Sequence, residues 1–307
     1  MVDAMSSASL PPLPETVEVE LTRAERRQVA ERLRPSATVL HETIRAEAEV
    51  ELARPAAALA WSGFAAGLSM GFSLIAMGVI RRALPDVPWR PLVVNLGYSV
   101  GFIIVILGRQ QLFTENTLTP VLALLHNRDR ATLVRLLRLW SIVFATNLLG
   151  ALLFATVVGS TSVFEPGARE AFQSIGLEAM EGGFLAHALK AVFSGWLIAL
   201  MVWLLPGAES ARVLIIVVLT YLIGIAGLSH IIAGSVECFY VVTTGAASWG
   251  NYVTHYLAPV LLGNVVGGMA LVAAFTHAEV AAGGHPGPSG TAPPAAPPAR
   301  EGGGAAR

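Results

Sequence analysis

The chain has 307 residues, 54% of them hydrophobic and 13% charged, with a formal net charge of −1. Soluble domains carry about 25% charged residues, so the composition excludes an ordinary water-soluble domain and indicates a membrane protein. With no basic excess there is no electrostatic footprint for nucleic acid, and a lone Cys238 can form neither an intrachain disulfide nor a Cys-based metal site.

Residues 1–15 are rich in Ser and Pro, and the first 55 are polar and charged, so no cleavable signal peptide is expected. Leu40, Ile44, Ala48 and Leu52 recur every four residues after Pro35, with Ser36 as a candidate N-cap. This periodicity predicts an amphipathic helix, either lying with one face on the rest of the protein or presented to a partner. Residues 1–55 are therefore read as an N-terminal segment outside the bilayer.

Six hydrophobic segments follow, at 58–80, 91–126, 136–158, 184–206, 212–246 and 257–276. Together they make a membrane domain over 56–277, in an all-α polytopic chain. About 20 apolar residues cross a bilayer as a helix, so segments two and five are too long. Each also carries ionisable residues, in Leu112-Phe113-Thr114-Glu115-Asn116-Thr117 and in Ser229-His230-Ile231-Ile232-Ala233-Gly234-Ser235-Val236-Glu237. A charge at a helix centre costs about 2.5–3.5 kcal/mol, and unwound backbone survives at that depth only inside protein or beside water. Each segment is thus predicted to be a broken helix whose two halves share one crossing. The stretch 159–183 reads as an acidic loop bearing Glu165, Glu170, Glu178 and Glu181. Residues 278–307, rich in Gly, Pro and Ala, read as a disordered tail. Arg45, Arg54, Arg128, Arg130, Arg135 and Arg138 flank spans on one face, which places both termini in the cytoplasm by the positive-inside rule; Arg81, Arg82 and Arg90 fall opposite.

The halves resemble each other. Tyr98-Ser-Val-Gly101 precedes the first break and Tyr221-Leu-Ile-Gly224 the second. Asn147-Leu-Leu-Gly150 follows in segment three and Asn264-Val-Val-Gly267 in segment six. Three spans per unit require the second copy to be inverted, a recurring transporter design with its site at the repeat interface. Gly63, Gly67 and Gly71 recur every four residues, a spacing that lets helices approach closely.

Over about residues 58–276 the sequence resembles the formate/nitrite transporter family. Leu112-Phe113-Thr114 is similar to that family's Leu-Phe-Thr element, Tyr98-Ser-Val-Gly101-Phe102 to its aromatic-Ser-x-Gly pattern, Gly227-Leu-Ser-His230 to its His-bearing fifth-helix break, and Gly263-Asn264-Val-Val-Gly267-Gly268 to its sixth helix. The combination Leu-Phe-Thr-Glu-Asn with Ser-His-Ile-Ile-Ala-Gly is most similar to a divergent inner-membrane subgroup. The resemblance implies an aquaporin-like protomer of six helices, assembled as a homopentamer in the inner membrane. Each protomer would have its own pore for a small monovalent anion, with or without a proton, and no cofactor or metal. The sequence departs from the pattern at Gly195 and Gly234, where the family often has Asn, at Ser229, where Glu often precedes the His, and at Glu115, where a small residue is usual. Its only Lys, Lys190, starts the fourth span.

His230 is the leading pathway residue, able to donate a hydrogen bond or a proton to a permeant; the alternative is a His that satisfies backbone freed by the break. Thr114 could face the same site or cap the second half-helix. Leu112, Phe113, Tyr98, Phe102 and Ile223 match positions of apolar constriction in the family, though packing alone would also explain them. Arg109, Glu115 and Glu237 form a second set, read as an ion-pair network or a proton relay. A neutral-solute pore and a non-transporting scaffold or sensor remain as alternatives. No triad order, metal spacing or phosphate loop points to an enzyme.

Overall fold

A computed structural model describes residues 22–24 and 37–269. The Ser36 cap, the 1–15 segment, the end of the sixth span and the tail lie outside the described residues. Everything below concerns 37–269.

The described chain is helical. Helix α1 (Ala37–Ala53) buries Ile44, Ala48 and Leu52 completely, along the stripe that its four-residue period marks out. Helix α2 (Ala56–Ala83) has 28 residues, about 42 Å at 1.5 Å per residue, against a hydrocarbon core of about 30 Å. A short α3 (Arg90–Val94) and α4 (Ser99–Leu107) follow. The chain then leaves the helix over 108–114, makes a turn at Glu115–Thr117 and resumes as α5 (Thr119–Asn127), which Arg128 ends in left-handed backbone at φ 53°. Helix α6 (Arg130–Ser160) starts on Asp129, whose carboxylate accepts the Thr132 N–H at 2.8 Å.

The stretch read as an acidic loop instead carries helix α7 (Pro166–Ala179). Proline at its first turn is pre-set for a helix start. Ala168, Ala171, Phe172 and Ile175 supply a buried face at helical spacing, and Phe172 stacks edge-on against Tyr240 with ring centroids 5.6 Å apart. The charges on the opposite face hid this signal. Helix α8 (Phe184–Leu204) and α9 (Arg212–Ile225) lead to a second non-helical stretch over 226–230. Helix α10 (Ile231–Thr243) is the most deeply buried, with every residue from Ile231 to Val242 in the core, including the free thiol of Cys238. The described part closes with a short α11 (Trp249–Asn251), a π-helical turn (Tyr252–Leu257) and α12 (Ala258–Val266).

By length and apolarity α2, the Arg90–Leu107 stretch, α6 and the Phe184–Gly207 stretch could each cross a membrane; α9 and α10 are apolar but shorter. Large apolar side chains such as Trp61, Leu149 and Leu214 stand on the outside, where lipid or another subunit can cover them.

Two helix crossings are built alike. Where α2 meets α6, a Cβ on Gly67 would strike the Asn147 carbonyl, and one on Gly150 would strike the Phe64 carbonyl. Where α8 meets α12, Gly195 lies in the same way on the Asn264 carbonyl, and Gly267 on the Val192 carbonyl. Gly195 is therefore a contact point between backbones, which accounts for the missing side chain there.

Candidate functional site

Two asparagines hold the two non-helical stretches. Asn147 on α6 accepts the Phe113 N–H at 2.9 Å and donates to the carbonyls of Gln111 (2.9 Å) and Gly63 (2.7 Å). Asn264 on α12 accepts the Ile231 N–H at 2.8 Å and donates to the carbonyls of Ser229 (3.2 Å) and Ala191 (2.8 Å). Each amide takes the N–H and the C=O two residues apart on its loop, plus a carbonyl of a neighbouring long helix. Backbone groups that a helix would have satisfied are thus paired without water. The first loop is tied further: Asn116 donates to the Gln111 side chain and the Leu112 carbonyl, and Trp140 donates to the Asn116 carbonyl. Gln111 itself donates to Glu51 of α1 at 2.8 Å.

The loops meet through Thr114 and His230, whose Oγ1 and Nε2 are 2.8 Å apart. Both residues are fully or almost fully buried. The His230 Nδ1 accepts the Ala233 N–H at 3.1 Å, capping α10. A neutral imidazole has one donor and one acceptor, so this cap assigns the ring proton to Nε2. Nε2–H then donates to the Thr114 oxygen, and the Thr114 hydroxyl keeps its own hydrogen to offer elsewhere. His230 thus satisfies freed backbone on one side, as the structural alternative expects, and bonds the partner loop on the other. Thr114 makes no cap bond to the turn that follows it, so its expected capping role is not seen.

The Phe102 ring stands edge-on to His230 with centroids 4.9 Å apart, and Tyr98 lies 5.4 Å from Phe102. Leu112 and Ile223 are completely buried. Phe113 packs on Phe144 and Trp140 of α6.

A cavity of about 340 Å³ ends at His230. Its mouth carries Arg81, Arg90, Glu178, Glu181 and Lys190. Two of these cations are already paired: Arg81 makes two hydrogen bonds to Glu178, and Arg90 lies 2.7 Å from Asp86. Burial pushes the Glu178 carboxyl up, but the Arg81 hydrogen bonds and charge outweigh this and hold it below the usual carboxylate range. Deeper, the wall is made by Tyr98, Gly234, Glu237 and Tyr256.

Arg109, Glu115 and Glu237 are not brought together. Arg109 is exposed, in left-handed backbone at φ 51°; Glu115 is half-buried on the turn; Glu237 is buried on the cavity wall. Among the described residues no ion pair joins them. Two residues that the sequence did not single out belong to the site. Tyr256 donates to the His230 carbonyl at 3.1 Å, and a Cβ on Gly234 would collide with the Tyr256 hydroxyl. His187 contacts the Ser229 hydroxyl through Nδ1 at 3.1 Å. Neither has a local motif; only the π turn and the bare Gly234 backbone bring Tyr256 in. Among the described residues no group of three metal-ligating side chains stands together.

Comparison with known proteins agrees with this architecture. Residues 38–278 match the family model described as formate/nitrite transporter. The chain is 41% identical over 268 residues to the inner membrane protein YfdC of Escherichia coli (strain K12), covering 86% of each. Among solved structures, one described as a pentameric formate channel with formate bound has a TM-score of 0.63 at 21% identity, covering 74% of this chain and 98% of the other. One described as an FNT family ion channel has a TM-score of 0.69 at 19% identity, covering 78% and 99%.

Proposed function

Because this chain belongs to the formate/nitrite transporter family, whose members are channels or transporters and not enzymes, we propose that each protomer conducts a small monovalent anion along a path centred on His230. The observation that carries this reading is the 2.8 Å contact between Thr114 and His230 at the closed end of a 340 Å³ cavity. It leaves one hydroxyl hydrogen to meet a permeant at a point where Phe102 and other buried apolar side chains exclude a hydration shell. A proton travelling with the anion lowers the cost of that dry passage.

In this reading α3, α4 and α5 make one crossing in two halves, and α9 and α10 another. The chain then has six crossings in two inverted repeats, supported by the matching Asn147 and Asn264 clamps and their matching glycine crossings. The protein sits in the inner membrane as a homopentamer like its pentameric structural neighbour, with both termini cytoplasmic. The test is flux of formate and nitrite into proteoliposomes across pH. Wild type should exceed empty vesicles, and His230→Ala should lower flux at least about tenfold, the loss expected for one hydrogen bond to a charged group. Wild-type flux equal to that of empty vesicles for every small anion tried would remove the anion reading. A second reading, a neutral-solute pore, is favoured by one observation, the acidic Glu237 in the cavity wall. Osmotic shrinkage with uncharged solutes separates the two.

A further inference from the structure

Glu237 is 8% exposed, and its carboxylate borders the cavity. Among the described residues it has no hydrogen bond and no ion pair. The polar groups around it come from several neighbouring elements, and the helix α6 packed against α10 adds none to the cavity. Tyr98 reaches the cavity from the start of α4 and Tyr256 from the π turn; His230 lies lower on the same helix. Glu178 of α7 and His187 and Lys190 of α8 lie toward the mouth. Arg81 and Arg90 are committed to Glu178 and Asp86, and Lys190 is exposed. Among the described residues no cation therefore balances Glu237. The wall offers one carboxylate, two phenols and the ring of Phe102 just below.

We propose that the cavity between the mouth and His230 is a docking site for a small protonated amine, ammonium or methylammonium in size, held by the Glu237 carboxylate between Tyr98 and Tyr256. Aromatic faces and a carboxylate are the standard surroundings of an ammonium group. The Tyr256 hydroxyl spends its hydrogen on the His230 carbonyl, so its oxygen is left to accept an N–H. Ca²⁺ and Mg²⁺ take six or more oxygen ligands, which this wall does not supply, and among the described residues no three His, Cys, Asp or Glu side chains stand together for a transition metal. The charged form stops at this level, because Phe102 and the ring that donates to Thr114 offer no counter-charge below. For passage, an N–H bond of the ammonium breaks and an O–H bond forms on Glu237. The neutral amine moves on and accepts the Thr114 hydroxyl hydrogen, and the proton returns from Glu237 to vestibule water. The proposal stands apart from the anion reading and does not depend on it.

The test is binding of radiolabelled methylammonium to the full-length wild-type protein in nanodiscs, at constant ionic strength. Saturable binding that ammonium displaces and sodium does not is expected. Glu237→Gln should weaken it about 10- to 100-fold, the loss of a hydrogen bond to a charged group, whereas Glu237→Asp should retain part. Tyr98→Leu should weaken binding and Tyr98→Phe should not. Size-exclusion elution as the wild-type oligomer identifies variants that assemble. Absence of saturable binding to wild type, equal displacement by sodium, or wild-type binding by assembled Glu237→Gln would each overturn the proposal. Formate flux of the same preparation reports separately on the anion reading.

Discussion

At the scale of single residues, the site depends on where one hydrogen sits. The Ala233 N–H fixes the His230 tautomer, and this leaves the Thr114 hydroxyl hydrogen to be offered elsewhere, to a permeant in the proposed reading. Thr114→Val keeps the shape and removes that group; flux in proteoliposomes should fall at least about tenfold while Thr114→Ser stays near wild type. Gly234 and Tyr256 exclude each other: Gly234→Ala places a methyl on the phenol oxygen, so the melting temperature of the purified protein should drop, and Gly234→Ala combined with Tyr256→Ala should recover part of the loss. His230 and Thr114 were legible in the sequence because polar groups stand out in an apolar run. Tyr256 was not legible, because an aromatic residue in a membrane segment looks like packing until the bare backbone opposite it is seen.

At the scale of elements, each loop has one asparagine from a distant helix that takes both an N–H and a C=O of its backbone. Asn264→Ala would leave the Ile231 N–H without its buried partner, at about 1–3 kcal/mol per orphaned group. Asn147→Ala would do the same to Phe113. The two losses should add in thermal unfolding, because the clamps share no partner. The asparagines themselves were visible as a repeated Asn-x-x-Gly, but what they bind could not be read, since their acceptors lie on other elements. Helix α7 was missed for a different reason: its apolar face is short and diluted by glutamates. One of them, Glu178, fastens the cavity mouth through Arg81. The Glu178 carboxyl is held low by Arg81, so its contribution is complete above its unfolded value, about 4.3, and is lost as pH falls through the lower folded value. Stability should therefore be flat in this term between about pH 6 and 8 and decline in acid, and Glu178→Gln should remove that acid-side decline in a pH series of melting curves.

At the scale of the whole molecule, helix α1 is part of the structure that carries the first non-helical loop. Its stripe of Ile44, Ala48 and Leu52 is buried, its Glu51 holds Gln111, and Arg138 of α6 closes its C-terminal end by bonding the Leu52 and Arg54 carbonyls. Replacing Ile44 and Leu52 together by Ala should lower thermal stability by about 2–5 kcal/mol per site and reduce recovery of intact oligomer on size exclusion. The long apolar helices α2, α6 and α8 were readable because the bilayer sets a length, whereas the fit of α1 under the first loop depends on contacts between distant parts of the chain. Cys238 is the only thiol in the sequence and is sealed inside α10. The native protein should therefore give no maleimide labelling, so that a cysteine placed at the cavity mouth or on an outer helix face would report its own environment against a blank background.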